Sequence, residues 1–398
     1  MLCFLGGLSF GGVLSDENIR FVEYPDFPEA HSTWGSIGYS SRHNKVYIGV
    51  TNHKDLIGLY EYDVSAKEIE LKGFIPDLVN LREFQWQGKI HSQIVEGPDG
   101  AMYFSTDGGE SREEYLMNHP HGYHGGLFLK WDPVLEKLTN LGMGLRFESI
   151  KDVAVDRVTG LVYAISYPQA HFLVYDLENN DLRDMGRLGS DHVPRILFSD
   201  QWGNGYYLDW RQRLVKYERS QGKLVFAKES LPAFPGTPGE FIITGVTASA
   251  ESHQKGIVYL ITYGAKLLTF HPQEEGIGRV EDLGGLVEGE SDKPWGPYCP
   301  NIGLGANGRV YYFLGGHGSY VEPDTTVLME FDPVTQRREV VMRFSLDEIS
   351  EVTGNNVRDA EGNLYFCGRR RDVRARRMGE SGQSRPFLIV FNPERSVR

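Results

Sequence analysis

One short phrase recurs along this chain: Gly, two residues, Tyr, then an apolar run. It reads GAMYF at Gly100, GLVYAI at Gly160, GNGYYL at Gly203, GIVYLI at Gly256, GRVYYF at Gly308 and GNLYF at Gly362, with a degenerate first copy, NKVYIGV, at Asn44. The tyrosines, Tyr47, Tyr103, Tyr163, Tyr206, Tyr259, Tyr311 and Tyr365, are 43 to 60 residues apart. A second phrase follows each copy: GLYEYD, LFLKWDP, FLVYDL, LVKYE, LLTFHP, VLMEFDP and FLIVFNP. Repeats at this period mark stacked units, and short strands bounded by turn residues make the units β-sheets. Two phrases in register seven times predict an all-β, seven-bladed β-propeller with four-stranded antiparallel blades.

In each blade the first phrase is the turn from strand A into strand B, and the second is strand C, running into a turn built on Asp, Pro or Asn. The last blade shows NNVRD, NLYFCG and FLIVFN as A, B and C and then lacks a D strand. Ile19–Tyr24 (IRFVEY) precedes the first A strand and is expected to complete that blade beside Phe387–Asn392, closing the ring. The expected organisation is an N-terminal extension, 1–18, and one propeller domain, 19–398. The 398 residues, 47 glycines, 21 tyrosines and 21 phenylalanines suit a closed ring of many turns and aromatic interfaces.

Composition narrows function. A net charge of −13 argues against a bulk nucleic-acid binder. Cys3, Cys299 and Cys367 are few, odd in number and far apart, which implies no disulfide framework. The opening MLCFLGGLSFGGVLSDE has no basic start and no Ala-x-Ala site, and is too short and Gly-rich to span a bilayer. The expectation is a cytoplasmic, monomeric protein with neither nucleic acid nor membrane as partner. A secreted or periplasmic location is the alternative if the apolar start is a degenerate leader.

Strand alternation puts short A–B and C–D turns on one face. The other carries long B–C and D–A loops, among them DGGESREEYLMNHPHGYHGG, GGHGSYVEPDTT and GRRRDVRARRMGESGQSRP. Long loops on a rigid ring usually carry function. Residues assigned to this mouth are His91, His119, His121, Tyr123, His124, Tyr167, His171, His192, Arg195, Trp210, Arg211, Trp295, Tyr298, His317, Arg358 and Arg369–Arg371. Seven of the 12 histidines fall here. Guanidinium groups bind carboxylates bidentately, aromatic rings offer platforms to sugar faces, and His and Tyr move protons. That set suits β-elimination from a uronate, and an acidic oligo- or polysaccharide is the expected partner. His119, His121 and His124 are candidate ligands for a divalent metal (Zn, Mn or Ca), although their spacing meets no standard zinc pattern. Structural roles stand beside these readings. His91 would be a satisfied strand histidine, Tyr167 a turn residue ahead of Pro168, Arg195 and Arg358 partners of carboxylates such as Asp359, and Arg369–Arg377 a solvated loop.

The run KIHSQIVEGPDGAMYFST, the HGG–LF–WDP element after it and GLVYAISYPQAHFLVYDL resemble the propeller polysaccharide lyases, nearest the ulvan-lyase-like families and more distantly oligogalacturonate lyase. The resemblance covers roughly Ser36 to Asn392. It implies that His91 and His124 act as paired histidines, Tyr167 as acid or base, and Arg195 or Arg211 as the carboxylate neutraliser, with a metal in some members. His121, Tyr123, His171, His192, Trp210, Arg211, Trp295, Tyr298, His317 and Arg358 are the expected substrate-binding residues. Two other classes stay open: a non-catalytic propeller binding glycan or protein, and a non-sugar C–O lyase of the virginiamycin-lyase type.

Overall fold

The computed structural model describes residues 16–52, 55–82, 85–108, 122–189, 196–232, 245–252, 255–289, 298–315, 321–371 and 384–394. The recurring phrase explains its own local structure. Its glycine takes a left-handed turn, with φ of +84° at Gly100, +80° at Gly203 and +85° at Gly362, where a side chain would be strained. Its tyrosine is buried on the following strand, and the hydroxyl donates to a carboxylate or carbonyl at the same turn or at that of the next sheet. Tyr206 reaches Asp200 at 2.7 Å, Tyr365 reaches Asp359 at 2.6 Å and Tyr163 reaches the Gly203 carbonyl at 2.6 Å. The aspartate closes the turn with its other oxygen, as Asp200 does by accepting from the Trp202 and Asn204 amides, both at 2.9 Å.

The strands form an all-β propeller, but the expected seven separate blades are contradicted. Among the described residues there are five free-standing four-stranded antiparallel sheets and one continuous eight-stranded sheet. The five sheets occupy residues 37–74, 95–143, 149–187, 198–230 and 246–285. The eight-stranded sheet contains the two remaining sets of strands, from Asn301–Leu304 to Arg338–Ser345 and from Glu351–Arg358 to Ser384–Phe391, with Ile19–Glu23 at its edge. The physical cause is a bulge. Glu351–Arg358 loses register with Leu364–Arg371 between Thr353 and Val357. The displaced residues turn sideways, and Gly354 and Asn355 pair in parallel with Asn301 and Ile302. Counting phrases detects the strand sets but not a lateral ladder between two inner strands.

Ile19–Glu23 pairs antiparallel with Ser384–Phe391, from Ile19 against Phe391 to Glu23 against Phe387. In the five four-stranded sheets the first strand lines the central channel and the last faces solvent with alternating exposed residues such as Glu68 and Glu70, while the eight-stranded sheet lines the channel with Glu351–Arg358. The apolar core lies as slabs between neighbouring strand sets. Tyr47, Leu59, Ile90, Phe104 and Trp131 fill one between the first two sheets. Tyr311, Phe313, Phe366 and Phe391 fill another inside the eight-stranded sheet. At the channel the inner strands touch backbone to backbone, since a Cβ at Gly38 would collide with the Ile94 carbonyl. No described helix is long and apolar enough to cross a membrane.

Candidate functional site

The mouth end of the channel collects the starts of inner strands and the ends of second strands. Trp34 lies just before the first inner strand, and Lys89 and His91 enter the second sheet. Lys89 exchanges backbone hydrogen bonds with Asp107 (Asp107 N to Lys89 O 2.8 Å, Lys89 N to Asp107 O 3.1 Å). Lys151 comes from the third inner strand and Tyr167 from the end of its neighbour. Glu351 and Arg369 come from the eight-stranded sheet.

These groups form one network. Lys151 Nζ is ion-paired with Asp107 Oδ2, and the two side chains are 3% and 0% exposed. Ser149 Oγ donates to Asp107 Oδ1 at 3.1 Å. Burial alone would raise the Asp107 carboxyl; Lys151, Lys89 and His91 outweigh it and hold the group well below the ordinary carboxylate range. The Lys151 ammonium also lies 4.7 Å from the centre of the Tyr167 ring. His91 Nδ1 is 3.1 Å from the Lys151 carbonyl. A carbonyl only accepts, so Nδ1 carries the hydrogen and Nε2 is the basic nitrogen of the neutral ring. The imidazole stacks on Trp34, with centroids 6.4 Å apart and planes at 11°. Lys89 Nζ and the Arg369 guanidinium approach the same indole, at 4.9 Å and 5.6 Å. Arg369 is ion-paired with Glu351. Three cations, an imidazole, a phenol and two carboxylates thus share one end of the channel. A buried cluster of this kind makes this end of the channel the candidate functional site.

Beneath them, Asp152 ties three inner strands together. Its carboxyl accepts from Gln93 N at 2.8 Å, Gln93 Nε2 at 2.9 Å and Leu197 N at 2.7 Å. Burial outweighs those bonds and pushes it up to about 7.

Of the residues assigned from sequence, His91 and Tyr167 meet through Lys151. Tyr123 packs edge-on against Trp86, and its hydroxyl donates to Gln87 Oε1 at 3.0 Å. His124 is half-buried in the same segment, its carbonyl accepting from Phe147 N at 2.9 Å. Tyr298 packs on Tyr263 with centroids 5.4 Å apart. His171 is turned towards an outermost strand, with Nδ1 2.9 Å from Asp184. Trp210 is 61% exposed on a turn, with the Arg211 guanidinium 4.8 Å from its ring. Arg358 ends its inner strand, at the opposite end of the channel from the mouth, and donates to the Leu304 carbonyl at 2.7 Å. His119, His121, His192, Arg195, Trp295 and His317 lie outside the described residues. Among the described residues no group of three or more His, Cys, Asp or Glu is placed to hold a metal.

Sequence reasoning missed Trp34, Lys89 and Lys151. Lys89 was within reach: it lies two residues before His91, so in an extended segment both share a face. Lys151 was hidden in an ordinary strand, and only the fold brings it to Asp107.

The sequence matches no protein-family profile and no curated protein. Similarity to solved structures is at the level of fold. The extracellular domain of a one-component system from B. thetaiotaomicron aligns with a TM-score of 0.56 and 13% identity over 93% of this chain. This chain spans only 40% of the length of that one. Ycf48 from Cyanidioschyzon merolae aligns with a TM-score of 0.54 at 10% identity, covering 95% of this chain and all of that one. Sqt1 from Saccharomyces cerevisiae gives 0.53 and 10%, with 96% and 90% covered. All three are β-propellers, and they show that this chain has that fold; fold alone carries no activity.

Proposed function

We propose that the mouth binds an acidic oligo- or polysaccharide and cleaves it by β-elimination beside a uronate carboxylate. The observation that carries this reading is the linked set Asp107, Lys151, Tyr167 and His91, with His91 and Lys89 against the Trp34 indole. In this scheme Lys89 and Lys151, with Arg195 from the sequence assignment, hold the substrate carboxylate and stabilise the enolate-like charge. His91 Nε2 takes the proton from the carbon next to the carboxylate. The bond to the glycosidic oxygen breaks, a carbon–carbon double bond forms, and Tyr167 protonates the leaving oxygen. Asp107 keeps Lys151 protonated and in place. Hydrolysis is the weaker fit, because it normally needs two carboxylates flanking the bond, and Asp107 and Glu351 are each already ion-paired to a cation.

The test is to incubate the protein with uronate-containing glycans and follow a new ultraviolet-absorbing unsaturated product. Tyr167→Phe should lower turnover by about 10²–10⁴ while leaving the circular dichroism unchanged. Cleavage without a double bond rejects elimination. Tight binding without cleavage leaves a non-catalytic glycan receptor, a reading favoured by the carboxylates that already pair two of the mouth cations.

A further inference from the structure

A cavity of about 320 Å³ lies at the other end of the channel. Its walls include Ser41, Glu96, Arg157, Ser199, Glu251 and Arg358, which sit at the ends of inner strands or in the turns that follow. Arg157 is exposed, so the cavity meets solvent there. This is the face of short turns, where the sequence suggested no chemistry.

The bulge that joins the inner strands of the eight-stranded sheet supplies one wall. Asn356 is held at φ +45°, a conformation that side-chain-bearing residues seldom adopt. Its Nδ2 donates to the Glu251 carbonyl at 3.3 Å, and Asn355 Oδ1 accepts from Ser249 N at 3.2 Å.

The geometry points to a binding site for a small hydroxy acid of monosaccharide size, distinct from the mouth and independent of the reading given to it. The volume sits at the lower end of the range for small-molecule pockets, so it fits one ring rather than a polymer. Two carboxylates, Glu96 and Glu251, face two guanidiniums, Arg157 and Arg358, so the walls do not attract a polyanion. Arg157 at the rim and the Arg358 fork, which spends one N–H on Leu304, both have N–H groups to offer a ligand carboxylate. Hydroxyl groups both donate and accept, matching Ser199, Asn355, Asn356 and Glu251. An ammonium group fits less well at Glu96, which already accepts from Ser41 Oγ at 2.6 Å, Ser40 Oγ at 2.9 Å and Arg42 N at 3.2 Å.

The test is calorimetric titration of the full chain with glucuronate, glucose and glycine. Glucuronate should bind at one site. Arg157→Ala should weaken it at least about tenfold, the size of one charge-assisted contact of about 1.4 kcal/mol or more. Arg157→Lys should restore most of the affinity, and His91→Ala should leave it unchanged. The inference is overturned if glucuronate does not bind or if glucose or glycine binds equally well. It is also overturned if His91→Ala abolishes binding while Arg157→Ala does not. That last result would place the ligand at the mouth and leave the mouth reading standing.

Discussion

Removing the Lys151 ammonium should be the most damaging single change at the mouth. Asp107 is fully buried, and its charge is tolerated because Lys151, Lys89 and His91 surround it. Lys151→Met keeps most of the side-chain volume and deletes the nearest cation. Breaking a buried pair by removing one partner costs about 3–5 kcal/mol, because the remaining charge is uncompensated. At about 2 °C per kcal/mol for a domain of this size, the melting temperature should fall by about 6–10 °C. The sign of the pH dependence is also fixed. In the wild type the Asp107 carboxyl is depressed, so its contribution is full above the ordinary carboxylate range and is lost only as pH falls through the depressed value. In Lys151→Met, burial meets less opposition, the carboxyl titrates higher, and acid unfolding should lose the protection this pair gives. Urea midpoints at several pH values measure both effects. The double variant Lys151→Met/Asp107→Asn removes both charges and should recover much of the loss. If the single variant matches the wild type, or the double variant is as unstable as the two single losses added, the pair is not what keeps Asp107 charged.

Asp152 should show the opposite pH behaviour. Its folded value is raised to about 7, so its stability contribution is full below the ordinary carboxylate range and falls as pH rises through 7, by at most about 4 kcal/mol. Asp152→Asn should flatten the change in urea midpoint between pH 5 and pH 8. Gly203→Ala should cost more than about 1 kcal/mol by thermal melting, since φ is +80° there and the new Cβ would land on the Asp156 carboxylate. Deleting residues 1–23 should uncover the Ser384–Phe391 edge, and light scattering on mild heating should then report aggregation sooner than for the full chain.

The repeat made the strands legible because turn, buried tyrosine and strand recur together. GLYEYD, expected as strand C of the first blade, falls within Ile57–Asp63 in the structure. The partner of Ile19–Glu23 was legible too, because FLIVFN had no later strand to pair with. The fused sheet was not. It depends on a three-residue excursion at Gly354–Asn356, and no periodicity shows which strand that excursion will meet. The site was half legible for a similar reason. Histidines and tyrosines in long loops stand out, whereas Lys89 and Lys151 gain chemical meaning only when two strands 62 residues apart in sequence converge on Asp107. Arg358 was assigned to the mouth from its place in the inner-strand phrase NNVRD, but it ends that strand rather than starting it, which puts it at the far cavity.

The pairing of the first and last strands also sets a timetable. The Asn18 side chain donates to the Asn392 carbonyl, 374 positions later. At ribosomal rates of roughly 5–20 residues per second, the first strand waits on the order of 20–75 s for that partner. An apolar strand waiting so long with open edges would be a hazard for self-association. This one carries Arg20 between Ile19 and Phe21, and Glu23 after Val22. When its partner arrives, Arg20 donates to the Tyr62 hydroxyl and Glu23 accepts from Arg370. The charges that guard the strand during synthesis are the ones that fasten it once its partner strand has been made.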